Sequence, residues 1–178
     1  MTLDKVGRRW YHRDMKYEKV YHTLPPVYDE RSRVLVLGSL PSPKSRETGF
    51  YYGHPQNRFW RVLADVLGEP FPADNDERRD MALRRGIALW DVIAECEIAG
   101  ASDASIRSAV PNDFSVITRA CDVHAVFTVG RTATALYEKF TGERSIYLPS
   151  PSGANRAMSY ERLREAYSAI LGYLDPVT

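Results

Sequence analysis

The chain of 178 residues lacks several features that mark particular protein classes. It has only two cysteines, Cys96 and Cys121, and their spacing fits neither a metal site nor a disulfide framework. The simpler interpretation is that both are buried thiols in a protein of a reducing compartment. No apolar run approaches the roughly 18 residues that span a bilayer, and the N-terminus, which carries Arg8, Arg9 and Arg13, has no signal-peptide core. We therefore expect a cytoplasmic protein.

A strong net charge is also missing. The formal net charge is +1, so no global basic field indicates a nucleic-acid partner. Lys and Arg exceed Asp and Glu by eight to five within residues 1–33, but such a run is usually solvated surface. The length fits one domain over residues 1–178, in which we expect residues 1–32 to be an N-terminal extension packed on the rest.

Four apolar runs lack the polar alternation of a half-buried strand, so they predict strands buried on both faces. They cover residues 33–39, 86–91, 123–129 and 144–148. Helical patterns occupy residues 57–67, a segment with its first turn at Pro111, residues 131–140, and a last segment with Ser159 as N-cap. Alternating strands and helices predict an α/β fold, a three-layer α/β/α arrangement around a central four-stranded parallel sheet.

Ligands of such sheets bind beyond the carboxyl ends of the strands. This rule points to the loops after Gly38, Trp90 and Leu148. The first of them, residues 38–42 (GSLPS), has neither the serine-hydrolase elbow pattern nor phosphate-loop spacing. It could turn backbone N–H groups toward a ligand, or it could be a purely structural turn.

The most informative segment is residues 49–60 (GFYYGHPQNRFW). Tyr51 or Tyr52 could stack on a base removed from a duplex, an interaction worth about 1–3 kcal/mol. Asn57 offers a carbonyl oxygen and an NH2 group that could orient water or read a base edge. Its position before an apolar helical pattern is equally that of an N-cap. His54 could donate a proton, although His beside Pro in a turn is more often a structural hydrogen-bonding group.

The third loop, residues 148–156 (LPSPSGANR), is stiffened by two prolines. Gly153 permits close approach of the backbone to a ligand, and the small polar residues could contact phosphates. Arg156 could add positive charge. Taken alone, the segment is a generic loop.

In this order, the three loops resemble the motifs GINPG, GFPFAHPANRFW and NPSGLSR of mismatch-specific enzymes in the uracil-DNA glycosylase superfamily. The resemblance spans residues 33–156, and the middle motif is specific. Two residues depart from it: Leu40 stands where most members place a catalytic Asp or Asn, and Ser150 where many place His or Asn. These departures, with residues 90–92 (WDV), Cys96 and residues 100–103 (GASD), resemble the hypoxanthine-DNA glycosylase branch.

The resemblance implies a monofunctional enzyme that flips a deaminated base out of DNA and hydrolyses its N-glycosidic bond. Deoxyinosine is the expected substrate in double- or single-stranded DNA; uracil, xanthine or a mismatched base is the alternative. No metal, cofactor or membrane is implied, and we expect a monomer. A rival of another class is a non-catalytic nucleotide- or DNA-binding α/β domain. Because Leu40 cannot position water, the resemblance implies a slow enzyme.

The resemblance also assigns residues. Asn57 matches the catalytic amide of the branch. The base-binding positions are Ser39, Leu40, Tyr52, which would stack on the base, and Asp91, which could accept a hydrogen bond from it or merely brace the loop. The DNA-binding positions are Ser42, Ser150, Ser152, Gly153, Ala154, Asn155 and Arg156. In the resemblance, Ala154 replaces a larger residue that fills the gap left in the duplex by the flipped nucleotide. We therefore expect this gap to be filled weakly, or by Ala154 together with Asn155 and Arg156.

Overall fold

The computed structural model describes residues 16–176. In chain order the strands are β1 (Glu18–Tyr21), β2 (Val34–Gly38), β3 (Ile87–Asp91), β4 (Ile93–Ile98), β5 (Arg107–Pro111), β6 (Ala125–Val129) and β7 (Ile146–Leu148). The helices are α1 (Pro43–Thr48), α2 (Phe59–Leu67), α3 (Asn75–Arg84), α4 (Ser115–Thr118), α5 (Arg131–Thr141) and α6 (Tyr160–Tyr167). Short 3-10 turns cover Asp103–Ser105 and Ser168–Tyr173.

The central sheet is parallel, has four strands in the order β3-β2-β6-β7, and is flanked by helices. This confirms the predicted α/β fold and its four strands. Every residue of β2 and of β3 is buried, which explains why their apolar runs show no alternation. The register pairs Gly38 with Asp91, so the carboxyl ends of β2 and β3 lie side by side.

The local helix signals are confirmed at several ends. The Ser159 hydroxyl accepts a hydrogen bond from the Arg162 N–H at 3.2 Å and caps α6. Gly68 and Gly142 end α2 and α5 in the left-handed conformation that glycine adopts without steric cost. The predicted start at residue 57 is two residues too early, because α2 begins at Phe59.

A second, antiparallel sheet with the order β1-β4-β5 was not predicted. Its pairing is nonlocal, since Val20 of β1 lies opposite Cys96 of β4. The charged helix α3 was also missed, because it has no apolar stripe and buries only Met81 and Ala82. It depends instead on its N-terminus, where the Asp74 carboxylate accepts from the Glu77 N–H at 2.9 Å.

The helix predicted to begin at Pro111 is wrong. Pro111 ends β5 and lies opposite Ile93 in an edge strand, one of the places where a sheet accepts a residue without an N–H. The helix begins later, at Ser115, whose N–H donates to the Asp113 carboxylate at 3.0 Å.

The described part of the segment before β2, residues 16–33, packs on the sheet. Val27 is fully buried and exchanges two backbone hydrogen bonds with Leu89 of β3, at 2.9 and 2.8 Å. Residues 1–15 of the predicted N-terminal extension lie outside the described residues. Within residues 16–176, no helix has both the length and the apolar character needed to cross a membrane.

Candidate active site

A cavity of about 940 Å³ opens where the carboxyl ends of the parallel strands meet the predicted loops. All three sequence segments that we singled out contribute to its wall, together with the end of β3 and the turn after β4. Ligand pockets commonly measure about 300–1,000 Å³, so the space suffices for a nucleotide. The lining includes Ser39, Leu40, Tyr52, Asn57 and Asp91.

The first loop is fixed to the neighbouring strand by its backbone. The Gly38 carbonyl accepts from the Val92 N–H at 2.8 Å, and the Ser39 carbonyl accepts from the Ile93 N–H at 3.1 Å. A Cβ atom on Gly38 would lie 2.4 Å from the Asp91 Oδ1 atom and 3.3 Å from the Tyr52 hydroxyl. A glycine at position 38 therefore lets the Asp91 carboxylate and the Tyr52 hydroxyl both lie close to the first loop.

Tyr52 is held rigidly beside the cavity. Its ring stacks on Phe59 with a centroid distance of 3.7 Å and an interplanar angle of 14°. Its backbone has a φ of 54°, a left-handed conformation that costs free energy in a bulky residue and recurs at ligand sites. Its hydroxyl is buried, has no hydrogen-bond partner within the described residues, and has a pKa raised well above the usual value by burial.

Asn57 is not the N-cap of α2, because that position is held by Arg58, but its side chain still contacts the first turn of the helix. Its carbonyl oxygen accepts from the Phe59 N–H at 2.9 Å, a local bond that supports the start of α2. The residue also lines the cavity, and its NH2 group makes no hydrogen bond to any other described residue. One half of the amide is thus structural, and the other half is available to a ligand.

His54 has the structural contact expected of a His beside Pro. Its Nδ1 atom accepts from the Gln56 N–H at 3.1 Å, and the residue is exposed at the cavity rim.

Asp91 is buried at the end of β3 and has a partner that sequence reasoning missed. The Nε2 atom of His22 lies 2.8 Å from the Asp91 Oδ2 atom, and the side chains are 3% and 5% exposed. His22 is held by its own N–H, which donates to the Ala94 carbonyl at 2.8 Å, and by edge packing against Trp90. Burial raises the pKa of Asp91, and the hydrogen bond to His22 lowers it in part.

A second carboxyl group, Asp103, also reaches the cavity and was not assigned from the sequence. It lies in the 3-10 turn after β4, and its Oδ2 atom accepts a hydrogen bond from the hydroxyl of buried Ser39. The residue is exposed at the cavity mouth, but its carboxyl group is directed inward to Ser39. Burial raises the pKa of Asp103, and the charge of Asp91 acts in the same direction.

The third loop is held against the other loops by Arg58, which sequence reasoning also missed. Its guanidinium donates to the carbonyl oxygens of Pro151, Ser152, Asn155 and Met158 at 3.3, 3.2, 3.1 and 2.6 Å. The Arg58 N–H adds a bond to the Pro151 carbonyl at 3.0 Å. Four carbonyls converging on one guanidinium give the loop a defined shape without a regular element.

The predicted DNA-binding residues are divided between two surfaces. Those lining the main cavity are Ser42, Ser150, Ser152, Ala154 and Asn155. Gly153 and Arg156 line an adjoining pocket of about 320 Å³, shared with Gln56 and Asn57. A Cβ atom on Gly153 would lie 2.9 Å from the Gln56 Cβ atom, so the close approach expected of this glycine is made to the protein itself.

Some of these polar groups also have structural roles. The Ser42 hydroxyl is the N-cap of α1 and accepts from the Ser45 N–H at 3.1 Å. The Asn155 NH2 group donates to the Ser150 carbonyl at 3.0 Å and closes the loop. DNA contact by these side chains stays a prediction.

Three cations on the cavity wall were not singled out from the sequence: Lys44 and Arg46 of α1, and Arg131 at the start of α5. The Lys44 ammonium lies 3.0 Å from a Glu47 carboxylate oxygen. Cations on the wall of a cavity are suited to contact with phosphates. The net charge of the chain gave no indication of such contacts.

The described residues contain no group of three or more His, Cys, Asp or Glu side chains placed to hold a metal ion. The groups on the cavity wall are the Tyr52 ring, the Asn57 amide, the carboxyl groups of Asp91 and Asp103, and the three cations. This set can hold a flat heterocycle and act on it through hydrogen bonds and charge.

Comparison with known proteins agrees with this geometry. The model of the uracil DNA glycosylase superfamily matches residues 25–171. A hypoxanthine DNA glycosylase of Methanosarcina barkeri (strain Fusaro / DSM 804) is 37% identical over 136 residues, which cover 74% of this chain and 86% of that protein. A hypoxanthine DNA glycosylase of Methanosarcina acetivorans is 34% identical over 145 residues, covering 79% and 92%.

A solved structure shares the fold. The NMR solution structure of a Methanosarcina acetivorans protein, proposed to be a uracil DNA glycosylase, superposes with a TM-score of 0.73 at 32% identity. The match covers 84% of this chain and 95% of that one. The family match extends over most of the chain and includes the cavity loops from residue 38 to residue 156. The chain belongs to the uracil DNA glycosylase superfamily.

Proposed function

We propose that this protein is a monofunctional DNA glycosylase that removes hypoxanthine from deoxyinosine in DNA and leaves an abasic site. The observation that carries the proposal is the placement of the Tyr52 ring and the Asn57 amide on the wall of one cavity of nucleotide size. Relatives named as hypoxanthine DNA glycosylases, at 37% and 34% identity, support the choice of base.

Tyr52 supplies the stacking surface in this proposal. Phe59 covers one face of the ring at 3.7 Å, and the residue lines the cavity. An extruded purine stacks on the other face, which repays part of the few kcal/mol that unpairing and unstacking cost. Because Tyr52 is fixed by Phe59 and by its backbone, little side-chain entropy is lost when the base binds.

Asp91 reads the base. Hypoxanthine carries a proton on N1, whereas N1 of adenine is a bare acceptor. An ionised carboxylate can only accept hydrogen bonds, so Asp91 would attract the N1–H of hypoxanthine and repel the adenine nitrogen. His22, held beside Asp91 at 2.8 Å, fixes the position of this acceptor.

Catalysis by this site rests on charge stabilisation. As the N-glycosidic bond breaks, the sugar becomes cationic and the departing purine anionic. The Asn57 NH2 group, whose carbonyl is already engaged by the Phe59 N–H, is free to donate to the leaving base or to orient water. The loop clamped by Arg58 and the cations Lys44, Arg46 and Arg131 would hold the phosphates on either side of the extruded nucleotide.

An excision assay on matched oligonucleotides tests the proposal. Duplex and single-stranded DNA carrying deoxyinosine, deoxyuridine, deoxyxanthosine or no lesion are incubated with enzyme, and abasic sites are revealed by alkali. We expect cleavage after alkali on deoxyinosine, and no adduct on borohydride reduction, because the proposed nucleophile is water and not a lysine amine. A preference for uracil or xanthine would overturn the choice of base, and lesion binding without abasic product would favour a non-catalytic binding domain.

The proposal extends to location and assembly. The residues that line the cavity come from one chain, and the proposal is that the protein acts as a monomer. Two free thiols, Cys96 and Cys121, suit a reducing compartment such as the cytoplasm.

A further inference from the structure

Leu40 occupies the first-loop position where most superfamily members place a carboxylate or amide. An aliphatic side chain cannot accept a proton from water, so the loop itself supplies no general base. Leu40 instead packs against the hydrophobic core. The structure nevertheless brings a carboxyl group to this place from another part of the chain.

That group is Asp103, whose carboxylate accepts a hydrogen bond from the hydroxyl of Ser39, the residue directly before Leu40. The two partners are separated by 64 positions in the sequence. Both line the same cavity as Tyr52 and Asn57. A carboxylate therefore lies at the first loop although the first loop has none of its own.

Both partners are anchored. Ser39 is 7% exposed, and its carbonyl accepts from the Ile93 N–H at 3.1 Å. The turn that carries Asp103 is closed by Ser105, whose hydroxyl donates to the Ser102 carbonyl at 2.7 Å and accepts from the Ala99 N–H at 2.9 Å. A general base must be held in a defined position, and these bonds supply that restraint.

We propose that Asp103 is the general base of the reaction and replaces the carboxylate missing at Leu40. This inference rests on the proposed function. The water oxygen forms a bond to C1′ of the sugar while the bond between C1′ and purine N9 breaks. The electron pair of that bond leaves with the purine, and one water proton passes to the Asp103 carboxylate. The proton is then returned to the purine anion, so that the products are hypoxanthine and the abasic sugar.

The surroundings of Asp103 suit this role. Desolvation and the Asp91 carboxylate at the end of β3 raise the pKa of Asp103, which makes it a stronger base. The hydrogen bond from the Ser39 hydroxyl acts in the opposite direction and lowers the pKa of Asp103 in part. The other charged or titratable groups on this cavity wall are Lys44, Arg46 and Glu47 of α1, Arg131 of α5, and Tyr51, Tyr52 and His54 of the second loop. The Cys96 thiol of β4 also lies near enough for the charge of Asp103 to raise its pKa, after burial.

Single-turnover excision of deoxyinosine, measured from pH 4.5 to 9 with enzyme in excess, tests the inference. Asp103→Asn should lower the rate about 10²–10⁴-fold, the usual contribution of a positioned base. Its affinity for a duplex carrying a non-cleavable 2′-fluoro deoxyinosine should change by no more than a few-fold. The wild-type rate should fall at acid pH, where Asp103 becomes protonated. The residual rate of Asp103→Asn should not show this fall.

Three further variants separate catalysis from folding. Asp103→Ala should recover activity when formate is added, because formate can take the place of the carboxylate. Ser39→Ala should move the acid limb of the pH profile to higher pH, since loss of the hydroxyl raises the pKa of Asp103. Asp122→Asn, at a carboxylate 84% exposed on the surface, is the matched control and should behave as wild type.

The results distinguish this inference from the proposed function. If the wild-type protein excises no base, the proposed function fails. If it excises hypoxanthine while Asp103→Asn keeps the wild-type rate, or loses the alkaline rather than the acid limb, Asp103 is not the general base and the proposed function stands. Lack of formate rescue in a folded Asp103→Ala protein would also overturn the inference.

Discussion

His22 and Asp91 form a buried pair, with the imidazole Nε2 atom 2.8 Å from a carboxylate oxygen and both side chains no more than 5% exposed. His22 lies just before residue 25, where the match to the superfamily model begins. The other Asp91 oxygen is directed at Gly38, which lacks the Cβ that would collide with it. The carboxylate that we propose to read the base is thus fixed from two sides by residues distant in sequence.

Replacement of Asn57 separates its local hydrogen bond from its proposed chemistry. Asn57→Ala should abolish inosine excision and should lower the free energy of unfolding by about 1 kcal/mol, because it also removes the acceptor for the Phe59 N–H. Asn57→Asp keeps that acceptor and replaces the NH2 donor with a carboxylate oxygen, which adds a negative charge. It should retain wild-type stability but not activity. Thermal unfolding and single-turnover assays measure both, and near-normal excision by either variant would remove the amide from the mechanism.

Tyr52 can be tested with a matched pair of variants. Tyr52→Ala should weaken binding to a lesion duplex about 5- to 150-fold, since base stacking is worth about 1–3 kcal/mol, and should leave binding to undamaged duplex nearly unchanged. Tyr52→Phe keeps the ring and removes a buried hydroxyl without a partner in the described structure. It should keep lesion affinity and raise the melting temperature. Equal loss of affinity for damaged and undamaged DNA would argue against stacking.

The His22–Asp91 pair makes stability depend on pH. Burial raises the pKa of Asp91 above its ordinary 3.8, so the folded protein holds this proton more tightly than the unfolded chain does. The stability that comes from this difference is present below pH 3.8 and is lost as pH rises through the raised pKa. The Asp91→Asn side chain cannot ionise. The free energy of unfolding of this variant should therefore increase relative to that of the wild type as the pH rises from 3.8 through the raised pKa. Urea unfolding at several pH values measures the difference, and a difference that shrinks as pH rises would contradict it.

The same pair should control base choice. Asp91→Asn can donate as well as accept, so we expect its preference for hypoxanthine over adenine to fall. His22→Phe leaves the buried Asp91 carboxyl group without its hydrogen-bond partner and should lower the free energy of unfolding by about 1–3 kcal/mol. Excision of deoxyinosine and of N1-methyldeoxyinosine, which lacks the N1–H, should differ strongly for wild type and little for Asp91→Asn. An unchanged ratio in the variant would remove Asp91 from base reading.

Arg58 gives a prediction about loop shape. Arg58→Lys keeps the charge but cannot donate to four carbonyls in one plane. We expect weaker binding of all duplexes and faster proteolysis within residues 151–158, because the loop loses its anchor. Arg61→Lys is the control, at an arginine within α2 that lies three positions after Arg58 and outside the cavity lining. If Arg58→Lys digests at the wild-type rate, the clamp does not determine loop order.

Local sequence patterns identified a large part of the fold. The runs that became β2 and β3 are buried along their whole length, and full burial leaves a signal that needs no knowledge of the partner strand. Tyr52 and Asn57 were found because they share one short segment whose composition is unusual for a connection. The sheet formed by β1, β4 and β5 and the helix α3 were missed, since the first depends on distant pairing and the second has no apolar stripe.

The sequence by itself determined the four-stranded core, the order of the loops and the aromatic and amide groups, because each rests on residues close together in the chain. Only the tertiary structure decided which groups meet: His22 with Asp91 across 69 positions, Ser39 with Asp103 across 64, and Arg58 with the third loop across 93 to 100. These contacts depend on the path of the backbone through the sheets, which brings separate segments to one edge. Local composition does not predict that path.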